Sequence, residues 1–97
     1  MTIEFLPAAA AEVEEAVEWY NAKEPGLGEA FRQEVSKAVD RISLFPEGWA
    51  KISHRSRRCL LRRFPYGVIY QVRDEMVLVL AVMHLHRKPD YWQERMS

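Results

Sequence analysis

The stretch that decides the fold is residues 59–85, CLLRRFPYGVIYQVRDEMVLVLAVMHL. Residues 66–73 are rich in aromatic and β-branched side chains, which favour strands. Residues 76–85 are almost all apolar, as is typical of a central strand that is covered on at least one face. The polar pair at 74–75 separates the two segments and predicts the turn of a hairpin. Residues 59–64 predict one further strand, so this half of the chain forms a small sheet.

Apolar side chains recur at helical spacing in two segments that precede these strands. The first stripe follows Pro7, which suits a first helical turn because its missing N–H would have no partner there. That stripe comprises Val13, Ala16, Val17 and Tyr20, and the second comprises Leu27, Phe31, Val35, Ala38, Val39 and Ile42. The second helix is expected to end before Pro46, because a residue that precedes proline avoids the helical region. The short turn at 21–26 predicts an antiparallel helical hairpin.

The predicted order of elements is β-α-α-β-β-β, with residues 2–6 as the first strand and residues 47–57 as a loop. Pro89 opens a short C-terminal helical turn that runs through Arg95. Two helices have one sheet face to cover, which predicts an α+β fold with the helical hairpin packed on a small antiparallel sheet. The 97 residues are too few for two independent cores, so residues 1–97 are expected to form a single domain.

Composition excludes several classes of protein. The longest apolar run, residues 76–83, is far shorter than the roughly 20 residues that a membrane-spanning helix needs. The single Cys59 cannot form an intrachain disulfide or a cysteine-based zinc site, and the N-terminus lacks a signal pattern, which together favour the cytoplasm. No glycine-rich phosphate loop is visible, so we expect no cofactor. We expect no metal either, because no set of three ligands has a helpful spacing.

The net charge is zero, but the charge is distributed unevenly along the chain. Residues 1–50 carry four basic and ten acidic side chains, whereas residues 51–97 carry ten basic and four acidic ones. This distribution is not that of a wholly basic nucleic-acid-binding protein. It favours a protein with one acidic and one basic surface that meets a specific partner.

A basic cluster lies in the second half and comprises Arg55, Arg57, Arg58, Arg62 and Arg63. Arginine makes planar, bidentate contacts with phosphates and carboxylates, so the cluster could bind RNA or an acidic protein segment. It could equally be the solvated face of a strand, which discourages edge-to-edge pairing. Arg62 and Arg63 are adjacent, and in a strand they would point to opposite faces.

Two histidines stand near the end of the last predicted strand. By strand parity, His84 and His86 share a face, where they could supply a general base or two metal ligands. No third ligand has a helpful spacing, so the alternative is that one histidine caps the end of the sheet. Arg87 and Tyr91 follow closely and could assist a catalytic histidine, whereas Trp92 beside Pro89 is expected to pin the C-terminal segment.

Taken together, the motifs of the chain resemble those of the RelE/ParE toxin superfamily, and the ParE or plasmid stabilisation branch in particular. The motifs are residues 5–9 (FLPAA), 16–20 (AVEWY), 25–28 (PGLG), 62–70 (RRFPYGVIY), 80–84 (LAVMH) and 87–92 (RKPDYW). They follow one another in order over nearly the whole chain. The resemblance implies a toxin that is silenced by a cognate antitoxin in a hetero-oligomeric complex.

The superfamily divides by target, and the resemblance leaves two active classes open. RelE-like members cleave messenger RNA on the ribosome, while ParE-like members inhibit DNA gyrase. RelE-like toxins commonly carry a catalytic arginine directly after the tyrosine that corresponds to Tyr66, and here that position is Gly67. Arg87 does match a basic position of the RelE pattern, and Tyr91 could stand near a catalytic tyrosine. The absence of this arginine would weaken stabilisation of the transition state by roughly several kcal/mol, which is the size of effect seen when other charge-stabilising groups are removed from enzymes.

The sequence therefore predicts first a ParE-like toxin that acts by binding gyrase rather than as an enzyme. An amphipathic antitoxin segment is expected to dock in an apolar groove on the helical hairpin and sheet edge. The residues predicted to bind partners are Glu12, Glu15, Leu27, Arg58, Arg62 and Trp92. The second hypothesis is a ribosome-dependent endoribonuclease that uses Arg62 or Arg63, His84 or His86, Arg87 and Tyr91. The third is a degenerate homologue that still binds antitoxin but has lost its toxicity.

Overall fold

The computed structural model describes residues 1–96 and contains two α-helices and five strands. The elements, in chain order, are β1 (Thr2–Phe5), α1 (Pro7–Lys23), α2 (Leu27–Leu44), β2 (Ala50–Lys51), β3 (Arg57–Leu60), β4 (Tyr66–Arg73), β5 (Met76–His84) and a C-terminal 3-10 helix (Gln93–Met96). The α+β fold with a helical hairpin packed on a sheet is therefore confirmed.

The sheet has the strand order β1-β5-β4-β3-β2. Its centre is the β4–β5 hairpin, whose turn contains Asp74 with a positive φ of 56°. β1 pairs with β5 in parallel, so the sheet is mixed, and the prediction of a wholly antiparallel sheet was wrong at this edge. The partner segment of β1, Met76–Val79, lies more than 70 positions away.

The helical hairpin covers one face of the sheet. Side chains from α1, α2 and the sheet form the main core there, and Phe31, Ile42, Val68 and Tyr70 are fully buried. α1 continues through Lys23, three residues into the predicted turn, and the Asn21 side chain then accepts a 2.8 Å hydrogen bond from the backbone N–H of Gly28. The helices approach each other closely at this point.

The opposite face of the sheet is covered by the C-terminal segment. Trp92 is 1% exposed and packs against a second apolar cluster that contains Ile69, Leu80 and Met83. Its indole N–H donates a 2.8 Å hydrogen bond to the carbonyl of Pro89. The structure therefore places Trp92 as the anchor of the C-terminal segment.

The region between α2 and β4 differs from the prediction. β3 ends at Leu60, and residues 61–65 form an irregular segment that turns Phe64 into the core. Arg62 and Arg63 therefore do not lie on opposite faces of a strand. The predicted loop at 47–57 contains the short edge strand β2, which pairs with β3. In residues 1–96, neither α-helix combines the length and the apolar character that a membrane crossing requires.

Candidate functional site

The most densely bonded polar cluster lies where α1, the end of β5 and the C-terminal segment meet, and Glu12 is at its centre. One carboxylate oxygen of Glu12 accepts 3.0 Å hydrogen bonds from the backbone N–H of Val82 and from Arg95. The other accepts from the Tyr91 hydroxyl at 2.6 Å, from Arg95 at 3.2 Å and from Arg87 at 3.3 Å. Both oxygens of this buried carboxylate are therefore fully engaged. We call Glu12, Arg87, Tyr91 and Arg95 the Glu12 cluster.

The two arginines of the Glu12 cluster also contact the ring of Tyr91. The guanidinium carbon of Arg87 lies 3.7 Å from the ring centroid, and that of Arg95 lies 5.1 Å from it. Burial and the hydrogen bond to Glu12 raise the pKa of Tyr91 well above its usual range. Tyr91 is therefore held as a neutral phenol whose proton points at a carboxylate.

The two histidines do not share the face of a strand, which strand parity predicted, because β5 ends at His84 and His86 lies in the turn that follows, but their rings still lie together. β5 ends at His84, whose Nδ1 accepts a 3.0 Å hydrogen bond from the backbone N–H of His86, and the two ring centroids are 5.1 Å apart. The ring of Tyr66 lies 5.0 Å from that of His84. This arrangement combines a partly exposed imidazole with an aromatic neighbour at the end of the sheet, and it caps the strand as the alternative interpretation expected.

The space beside Gly67 that a side chain would need is filled by Arg58. A Cβ atom built on Gly67 would lie 2.9 Å from Cγ and 3.0 Å from Cδ of Arg58. The aliphatic stem of Arg58 on β3 therefore crosses the space that a side chain at residue 67 would need. A side chain at residue 67 would therefore clash with Arg58, and glycine is the residue that leaves this space free.

The remaining candidates for partner binding are dispersed. Glu12 was predicted on the acidic surface but is buried, because Arg87, Arg95 and Tyr91 pair with it and offset its desolvation. Glu15 is exposed on α1, and Leu27 is half-buried against the core. Trp92 is too buried to contact a partner unless the C-terminal segment moves. Arg62 and Arg63 are exposed in the irregular segment after β3.

An apolar groove of about 330 Å³ lies between the two helices and β1. Phe5, Val13, Val35 and Val39 contribute to its lining. An ion pair between Glu14 on α1 and Arg32 on α2 bridges its rim. The groove lies on the helical hairpin beside a sheet edge, but Leu27, one of the residues predicted to bind a partner, is not part of its lining.

The sequence did not single out Arg95, nor did it predict that Glu12 would be buried. The spacing of Ala9, Glu12, Val13 and Ala16 places Glu12 on the buried stripe of α1, and this was the available signal. No comparable signal marks Arg95, because it lies 83 positions from its partner. Within residues 1–96, no group of three or more His, Cys, Asp or Glu side chains is placed to hold a metal ion.

Two solved structures share this fold. A chain of the chromosomal ParDE toxin–antitoxin system of P. aeruginosa superimposes with a TM-score of 0.78 and 17% sequence identity, covering 89% of this chain and 97% of the other. The isolated E. coli RelE toxin superimposes with a TM-score of 0.64 and 21% identity, covering 96% and 93%. No curated protein matches the chain in sequence. The chain therefore shares its fold with these two toxins.

A match to a protein-family model identifies the family to which the chain belongs. The model of the ParE toxin of the type II toxin–antitoxin system parDE matches residues 3–89. The match begins at the second residue of β1, continues past the end of β5 and includes Glu12 and Arg87 of the Glu12 cluster. The chain belongs to the ParE toxin family of type II toxin–antitoxin systems, which implies a cognate antitoxin as its partner.

Proposed function

We propose that this protein is a cytoplasmic toxin that stops growth by binding DNA gyrase and is neutralised by its cognate antitoxin. The observation that carries the choice of target is the engagement of Tyr91 and Arg87 by Glu12. Arg87 matches a basic position of the RNA-cleaving branch, and Tyr91 could stand near the catalytic tyrosine of that branch. Membership of the ParE family supports the same choice.

The Glu12 cluster is poorly suited to cleaving a phosphodiester bond. A general acid or base needs a pKa near the working pH, and both burial and the hydrogen bond to Glu12 move the pKa of Tyr91 away from neutrality. The carboxylate also offsets the charge that Arg87 would offer to a phosphate. Freeing either side chain would leave Glu12 buried with fewer partners, which is costly. The cluster therefore supports a structural role.

A ribosome-dependent endoribonuclease is the second candidate, and two specific observations favour it. The aliphatic stem of Arg58 lies against Gly67, so an arginine from β3 borders the position at which the RelE pattern has its own arginine. His84 and His86 lie together at the same end of the sheet and could exchange a proton with a substrate. Such an enzyme would use Arg58, a residue that the RelE resemblance did not provide.

The experiment is expression of the toxin without antitoxin, with cell length, the DNA-damage response and message integrity followed together. We expect filamentation and a DNA-damage response, because trapped or inhibited gyrase leaves damaged or unresolved chromosomes. Abrupt translation arrest with cleaved messages would favour the nuclease instead. Normal growth with a folded protein would support the degenerate homologue, which still binds antitoxin.

A further inference from the structure

We propose that a pocket lined by arginines, at the C-terminal end of α2, binds an acidic segment of the antitoxin that also carries apolar side chains. The pocket has a volume of about 320 Å³ and lies between α2 and the β2–β3 edge of the sheet. It is lined mainly by Arg41, Trp49, Arg58, Leu60, Leu61 and Arg62, which we call the arginine pocket. It is separate from the apolar groove and from the Glu12 cluster.

The arginine pocket contains three cationic side chains and no acidic one. Among residues 1–96, no carboxylate forms an ion pair with Arg41, Arg58 or Arg62. Arg41 donates to the backbone carbonyl of Leu60 at 3.0 Å, which fixes its side chain but leaves its charge uncompensated by any acid. Three like charges at one pocket repel one another. A bound anion would remove this repulsion and gain charge-assisted hydrogen bonds.

The aromatic wall of the arginine pocket is held in place from two sides. The indole N–H of Trp49 donates to the Arg41 carbonyl at 3.4 Å, and Arg57 donates to the Trp49 carbonyl at 2.8 Å. The Arg41 guanidinium carbon lies 6.0 Å from the centre of the Trp49 ring. A wall that is already ordered loses little conformational freedom when a ligand binds, which favours affinity.

The lining indicates what kind of anion fits. Leu60 is 47% exposed, and together with Leu61 and Trp49 it gives the pocket an apolar surface between the guanidinium groups. A peptide that carries a carboxylate next to an apolar side chain satisfies both features, because arginine binds carboxylates through two parallel hydrogen bonds. RNA fits less well, since its binding draws on many phosphate contacts and this chain has no net positive charge.

This inference rests on the antitoxin of the proposed function and is independent of gyrase as the target. The antitoxin would then contact two oppositely charged regions, with acidic side chains at the arginine pocket and a different segment at the helical hairpin. The uneven charge of the chain is consistent with a partner whose charges alternate in the same way. Complementary charges of this kind mainly set the association rate and the choice of partner.

The test measures binding of the antitoxin encoded beside the gene to purified toxin variants by surface plasmon resonance. Arg58→Gln and Arg62→Gln are each expected to weaken binding about tenfold and to reduce its salt dependence. Arg62→Lys is expected to recover only part of the affinity, because lysine lacks the planar fork. Arg55→Gln is the matched control, because Arg55 is exposed and outside the arginine pocket; its affinity should stay within about twofold.

Arg62 is exposed, so its variant should fold, and thermal denaturation verifies this for each protein. Unchanged affinity and salt dependence in both the Arg58 and Arg62 variants would overturn the proposal. So would binding of a single-stranded RNA oligonucleotide that the same two variants lose. Gyrase supercoiling is measured separately on the unsubstituted toxin. If the toxin does not inhibit supercoiling, gyrase is not its target, but the measured antitoxin affinities still test the arginine pocket.

Discussion

The hydroxyl of Tyr91 donates a 2.6 Å hydrogen bond to the carboxylate of Glu12 across 79 positions of the chain. This bond joins the first helix to the C-terminal segment, and Arg87 and Arg95 complete the cluster around it. The segment that follows β5 is thus fixed by the ion pairs of Arg87 and Arg95 with Glu12 and by the burial of Trp92. Both contacts keep it against the face of the sheet that the helices leave uncovered.

Replacing Glu12 with Gln should destabilise the fold by about 2–4 kcal/mol, because it removes the charge that pairs with Arg87 and Arg95 in a largely buried site. Urea denaturation measures the free energy of unfolding. Glu15→Gln is the matched control, because Glu15 is exposed on the same helix, three residues after Glu12. This substitution should change the free energy of unfolding by less than about 0.5 kcal/mol. Equal effects of the two substitutions would contradict the importance of the cluster.

Stability should decrease between about pH 10 and pH 12. Burial raises the pKa of Tyr70 to about 12, and burial together with the Glu12 hydrogen bond raises the pKa of Tyr91 further. The unfolded chain loses these phenolic protons from about pH 10, whereas the folded chain retains them, so their contribution is present below that pH and lost above it. Urea denaturation at pH 9 and pH 11 measures the change. The double variant Tyr70→Phe/Tyr91→Phe should show a smaller loss, and an undiminished loss would contradict the assignment.

Gly28→Ala should destabilise the protein by about 1–3 kcal/mol, although alanine in place of glycine usually stabilises a helix by about 0.5–1 kcal/mol. A Cβ atom at residue 28 would lie 2.4 Å from the carbonyl oxygen of Val17 and 2.6 Å from the side chain of Asn21. The first contact is with backbone and cannot be relieved by a rotamer change, so the two helices would have to separate. Thermal unfolding measures the effect, and a raised melting temperature would contradict the close approach of α1 and α2.

The double variant Arg87→Ala/Tyr91→Phe should retain toxicity if the protein acts by binding gyrase. Neither side chain is required to act on RNA in that mechanism, and both are engaged by Glu12. Growth after induction without antitoxin measures toxicity, and circular dichroism verifies the fold. Loss of toxicity in a folded double variant would favour the endoribonuclease.

Glu15→Gln combined with Glu18→Gln should slow association with the antitoxin and flatten its salt dependence. Both carboxylates are exposed on α1, within the acidic half of the chain, and long-range attraction acts mainly on the association rate. Stopped-flow association at low and high salt measures the effect. Unchanged kinetics would indicate that basic antitoxin residues do not approach this face of the helices.

Local patterns were sufficient to predict most of the fold. β4 begins at Tyr66 and ends at Arg73, as predicted, because proline precedes it and a polar turn follows it. α2 ends at Leu44, before the proline that the sequence identified as its limit. In both elements the signal lies within a few residues of the boundary that it determines.

Pairings between distant parts of the chain could not be predicted in the same way. The parallel pairing of Ile3 with Val77 depends on how the intervening helices pack, and no pattern in β1 encodes it. Glu12 was placed on the surface because charge alone predicts exposure. Its partners, Arg87 and Arg95, lie 75 and 83 positions away. The arginine pocket likewise needs α2, β2 and β3 to meet before Arg41 and Arg62 can line one site.

The most direct test of the account is gyrase-catalysed supercoiling of relaxed plasmid DNA in the presence of the purified toxin. If the protein binds gyrase as proposed, the toxin inhibits supercoiling in proportion to its concentration, and an equimolar amount of the cognate antitoxin restores supercoiling. Full supercoiling at every toxin concentration, from a preparation that cleaves messages on translating ribosomes, would contradict the account.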